Sequence, residues 1–95
     1  MQLEVKDNRV KISGNMKSVM DYKELKTLLD SVTGEHKTVT MDVIDSISIT
    51  SSIIGYLNKL VLKDKITLNM HVGNSLLFEL LDELSLIELF HVTKA

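Results

Sequence analysis

The chain has 95 residues, 44% hydrophobic and 25% charged, with a formal net charge of −2. That balance predicts one small globular domain spanning 1–95, and it excludes both a disordered tract and the basic footprint of a nucleic-acid binder. Cysteine is absent, which excludes disulfides, thiolate catalysis and cysteine-ligated zinc.

At the start, Leu3 and Val5 alternate with Gln2, Glu4 and Lys6, and Val10 and Ile12 alternate with Arg9, Lys11 and Ser13. Asp7-Asn8 lies between them, and both residues tolerate left-handed backbone. The pattern predicts a hairpin with a two-residue turn that ends at Gly14-Asn15. Ser18 with Asp21 three positions later reads as a capping box. Val19, Tyr22, Leu25, Leu28, Leu29 and Val32 then share one helical face, and Gly34 is expected to stop that helix.

Val39, Met41 and Val43 alternate with Thr40 and Asp42, the period of a half-buried strand. A hydroxyl-rich stretch follows, with Asp45, Ser46, Ser48, Thr50, Ser51 and Ser52. Ile53, Leu57, Leu60 and Val61 then recur at helical spacing. A strand thus delivers a loop of hydroxyls onto the first turn of a helix, where backbone donors lack internal partners and the helix dipole favours negative charge. Such a junction caps itself with a hydroxyl or holds an anion.

Lys63-Asp64-Lys65 closes the second helix. Ile66, Leu68, Met70 and Val72 form a further alternating strand. Gly73-Asn74-Ser75 turns the chain, with the next cap at Asn74 or Ser75. Leu77, Leu80, Leu81 and Leu84 make a third helical stripe that Ser85 breaks, and Leu89, Phe90 and Val92 read as a short last strand. The order is β-β-α-β-α-β-α-β. Single helices between strands imply right-handed parallel crossovers, and the alternation within the strands implies helices on one face of a mixed, mostly parallel α/β sheet.

This order, with a hydroxyl-rich loop entering the second helix, resembles the STAS domain, the family of bacterial anti-sigma-factor antagonists. The family motif, Asp-Ser-Ser-Gly or Asp-Thr-Ser-Gly, matches Thr50-Ser51-Ser52-Ile53, followed by Ile54-Gly55-Tyr56-Leu57. Leu81 to Phe90 resembles the family's third helix and its exit into the last strand. Thr50 stands where the family has an acidic residue and Ile53 where it has glycine, and the family's final helix has no counterpart before Ala95. The resemblance implies a non-enzymatic protein-interaction switch, with Ser52 as phosphoacceptor and an anti-sigma factor or serine kinase as partner. It also admits two alternatives: a scaffold independent of phosphorylation, and an accessory subunit of a membrane lipid or anion transporter.

The expected docking surface is Thr50, Ser51, Ser52, Ile53 and Tyr56 with Asn58 and Lys59, and Ser51 is the expected cap. His36, His71 and His91 have no metal-ligand spacing, Asp42 and Asp45 have no local Ser-His arrangement to complete, and no glycine-rich phosphate loop is present. No metal or cofactor is therefore expected. The N-terminal residues lack an apolar signal region and no apolar run reaches membrane-spanning length, so a cytoplasmic location without membrane insertion is expected. The sequence leaves the oligomeric state open, a weak homodimer included.

Overall fold

A computed structural model describes residues 1–95. The elements are β1 (Gln2–Lys6), β2 (Arg9–Ser13), α1 (Val19–Glu35), β3 (Thr38–Val43), α2 (Ser51–Leu62), β4 (Thr67–Val72), α3 (Ser75–Glu83) and β5 (Val92–Lys94). The five strands form one sheet in the order β1-β2-β3-β4-β5. β1 is antiparallel to β2, and every later pair is parallel. The expected mixed, mostly parallel α/β sheet is what the chain adopts.

Spatial order equals chain order, so the three crossovers from β2 to β5 all step the same way. Crossovers of one hand then lay all three helices on one face. Burial agrees: Val10, Ile12, Val39, Met41, Val43, Leu68, Met70, Val72 and Val92 are buried, while the residues alternating with them are not. Leu25, Leu57, Leu77 and Leu81 meet them from the helices, as their spacing predicts. The opposite face carries polar rows that cross the strands. Lys6, Arg9, Thr40 and Asn69 make one, and Glu4, Lys11, Asp42, His71 and Thr93 the next. Parallel sheets are usually covered on both faces; this one keeps its second face in water because period-2 alternation continues through β3 and β4.

The turns follow local chemistry. Asp7 takes φ 55° in the hairpin, and Gly14 takes φ 84° where β2 ends. Ser18 accepts from the Asp21 amide at 3.0 Å, and Asp21 accepts in return from the Ser18 amide at 3.2 Å. The capping box is complete, and these backbone donors, that of Lys17 foremost, hold the Asp21 carboxyl below its usual range. Gly73 passes so close to β3 that an added Cβ would overlap the Ile44 carbonyl oxygen.

Four expectations need correction. Gly34 does not stop α1; the helix runs on to Glu35 and ends because His36 turns extended, at φ −129° and ψ 137°, to enter β3. A helix interior accepts glycine at a cost of about 1 kcal/mol, which the packing of Leu29 and Val32 outweighs. Val19 and Leu84, assigned to buried stripes, are exposed at the ends of α1 and α3, beyond the reach of the sheet. Leu89 and Phe90 precede β5 instead of joining it. Amide-to-carbonyl bonds from Phe90 to Leu86 and from Val92 to Ile87 close a helical turn that drives Phe90 fully into the core.

Candidate functional site

The segment Ile44–Thr50 joins β3 to α2 without regular structure. It is held by bonds to the β2–α1 connection. The Gly14 amide donates to Asp45 Oδ1 at 2.7 Å, and the Ser46 hydroxyl donates to the Gly14 carbonyl at 2.5 Å. The Ile47 amide donates to Asn15 Oδ1 at 3.0 Å. Ser46 is completely buried, and its one strong bond satisfies a hydroxyl that would otherwise be costly to desolvate. Ile49 plugs the core below. Sequence reasoning missed these contacts, which bridge about thirty positions; the cluster of Asp and Ser side chains marked a turn and not its partners.

Thr50 is the N-cap of α2. Its backbone is extended and its side-chain oxygen accepts from the Ile53 amide at 3.2 Å. The cap expected at Ser51 is therefore one residue earlier. The reason is helical phase. Ile53, Tyr56, Leu57 and Leu60 must all be buried, Tyr56 against α1, and the helix that buries them has Ser51 as its first residue and Thr50 as the last extended one. Ser51 and Ser52 stand exposed on the first turn. Ser52 lines a cleft of about 280 Å³ with Lys17, Ser18, Val19, Tyr22 and Thr50. The starts of α1 and α2 thus border the same cleft, and Lys17 is its cation.

Two residues assigned to the docking surface do not reach it. Ile53 is fully buried and Tyr56 is 5% exposed. Ile53 is a core residue and presents nothing to a partner. Tyr56 turns toward α1, where its ring meets Tyr22 edge-on at 6.4 Å and Lys26 lies 5.5 Å from its centroid. Its hydroxyl donates to Asp30 Oδ1 at 2.5 Å, and the Lys26 ammonium bonds the other oxygen at 2.9 Å. Burial first, then the bond to Asp30, pushes the Tyr56 phenol well up; the Tyr56 hydroxyl first, then Lys26, holds the Asp30 carboxyl down. Asn58 is half-buried, with its Oδ1 enclosed and unpaired. Lys59 is exposed and bonds Asp64 at 3.3 Å.

Exposed apolar side chains gather at this end of the sheet. Val19 and Met20 open α1, Ile44 and Ile47 follow β3, and Leu76 opens α3; the other large exposed ones are Val5, Leu62 and Leu84. Asp42 is engaged by Arg9 on the open sheet face, and Asp45 by Gly14, so the two carboxylates beside the loop have structural partners. The histidines lie apart. His36 caps α1, His71 Nδ1 meets Thr93 Oγ1 at 2.7 Å, and His91 Nδ1 meets the Leu68 carbonyl at 2.7 Å. No helix is long and apolar enough to cross a membrane. Comparison of the chain with protein-family models, with curated proteins and with solved structures returned no match.

Proposed function

We propose that this domain is a protein-interaction switch without enzymatic activity, of the anti-sigma-factor-antagonist kind that its sequence resembles, with Ser52 as the residue whose charge sets binding. One observation carries the reading. Thr50 takes over the capping, so the exposed Ser52 hydroxyl stands on the first turn of α2, at the end of the sheet where Val19, Met20, Ile44, Ile47 and Leu76 are exposed. A partner seated on that end, an anti-sigma factor or serine kinase, would bury those apolar groups and Ser52 with them. Ser51 and Ser52 belong to that surface; Lys59, in the last turn of α2 and paired with Asp64, lies at the other end of the helix, and the side chains of Ile53 and Tyr56 are buried.

A phosphate on Ser52 adds about −1.5 to −2 charges. The α2 N-terminus, with Lys17 across the cleft, accommodates that charge while the domain is free. Under a partner the same charge loses its water, at a cost of several kcal/mol where no cation meets it. The test is titration of wild type, Ser52→Asp and Ser52→Ala against the partner kinase or anti-sigma factor recovered with the native protein. Ser52→Asp should bind at least about tenfold more weakly, a difference of about 1.4 kcal/mol, and Ser52→Ala like wild type. The apolar setting also favours a second reading, a scaffold that docks whatever the state of Ser52. Equal binding by all three proteins, with loss in Ile47→Asp, would select it. Recovery of a transporter ATPase as the partner would select the accessory-subunit role.

A further inference from the structure

The free edge of the sheet at β1 is built differently from the edge at β5. β5 has three residues, whereas β1 has five. The direction of the β1 backbone groups follows from β2. The Asn8 and Ile12 carbonyls accept from Thr40 and Ile44, so the even-numbered residues of β2 bond toward β3. Arg9, Lys11 and Ser13 therefore bond toward β1, where they pair with Lys6, Glu4 and Gln2. The amides and carbonyls of Leu3 and Val5 are left pointing outward, ready to pair with another strand.

Beside that edge, on the helix side, lies a groove lined by Leu3, Val5, Lys23, Glu24, Thr27 and Leu28. It is a broad, open depression of about 500 Å³. α1 overhangs β1 only in part, and Val5 remains 48% exposed at the groove mouth. The edge thus offers outward hydrogen-bonding groups and incompletely covered apolar side chains at the same two residues. The charges on its polar face alternate in sign, Glu4 negative and Lys6 positive.

From this geometry we infer that the β1 edge is a self-association surface, and that its occupant is the β1 strand of a second copy, antiparallel about a two-fold axis at Val5. The charges fit a second copy in this register. With Val5 opposite Val5 of the second copy, Glu4 faces Lys6 of that copy and Lys6 faces its Glu4, so both cross-strand pairs are of opposite charge. The two Val5 residues exchange their outward amide and carbonyl bonds, and their side chains meet over the paired grooves. Shifting the axis to Glu4 sets Glu4 against Glu4 and is disfavoured. The product is a ten-stranded sheet across two copies. The contact is confined to one short strand and the groove beside it, so the association is weak, and it leaves the Ser52 end of each copy free.

The experiment is sedimentation velocity on the whole chain from micromolar to millimolar concentration. The mass should rise from 10.7 kDa toward twice that value as concentration increases. Glu4→Lys places Lys opposite Lys6 and should raise the dissociation constant at least about tenfold. Lys6→Glu should do the same, while the double exchange Glu4→Lys with Lys6→Glu should restore wild-type association. Circular dichroism and thermal melts should show each variant folded, since both side chains are exposed. A chain that stays monomeric throughout the range overturns the inference. So does a dimer indifferent to Glu4→Lys, or a double exchange that fails to restore it while melting like wild type. None of these outcomes bears on partner binding at Ser52.

Discussion

Tyr56 is the residue whose role changed most between sequence and structure. Its neighbourhood in the motif suggested a docking side chain, but its hydroxyl ties α2 to α1 through Asp30. Tyr56→Phe keeps the ring and removes only that bond, so it should cost about 1 kcal/mol at neutral pH. The figure stays near the neutral-bond value because the Asp30 side chain is 46% exposed and water screens its charge. The pH dependence has a definite sign. The Asp30 carboxyl is held below its ordinary value in the folded state, so its contribution is complete above the unfolded value of about 3.9 and is lost as pH falls through the folded one. Urea unfolding at a series of pH values should therefore show the gap between wild type and Tyr56→Phe narrowing below about pH 4. An unchanged gap in acid would mean that the carboxylate charge adds nothing to the bond.

The junction between β3 and α2 shows how an element finds its end. Thr50, Ser51 and Ser52 are all chemically able to cap, so residue type alone does not choose among them. The burial of Ile53, Tyr56, Leu57 and Leu60 sets the rotation of α2, and the rotation assigns the cap to Thr50. Thr50→Ala should then cost about 1 kcal/mol, the usual loss for a capping side chain. Ser51→Ala should stay within about 0.5 kcal/mol, as for an exposed substitution away from such features. Equilibrium unfolding of the two variants gives the ranking, and a larger loss for Ser51→Ala would return the cap to Ser51.

Across the molecule, one side of the sheet carries the helices and the other meets water. Neighbouring residues of β4 feel opposite environments. Met70 is completely buried under the helices, while Asn69 lies on the open face between Thr40 and the strand edge of β5. Met70→Ala should cost about 2–5 kcal/mol, the range for truncating a packed core side chain. Asn69→Ala should change stability by less than about 0.5 kcal/mol. Comparable losses at both positions in urea titrations would mean that something covers the polar face in solution.

The first four strands, the three helices and the one-sided sheet were legible in the residues because each rests on a local period; of the last strand only Val92 was placed, since Leu89 and Phe90 fold into a helical turn before it. Alternation at Val39-Met41-Val43 and at Leu68-Met70-Val72 tells which face of a strand leaves water, and the capping box at Ser18 and Asp21 marks where α1 begins. The candidate junction was found in the same way, as hydroxyls between a strand period and a helix period. What those periods do not carry is depth and partnership. The spacing of Ile53 and Tyr56 is equally that of a core stripe and of a docking stripe; only the presence of α1 and the sheet around them assigns both to the interior. Gly34 ends a helix by local preference, yet α1 runs through it because Leu29 and Val32 are packed beyond what one glycine costs. The bonds of Asp45, Ser46 and Asn15 that hold the Ile44–Thr50 segment join stretches about thirty residues apart. Such pairings leave no trace in a local pattern, because they exist only once β2 and β3 lie side by side.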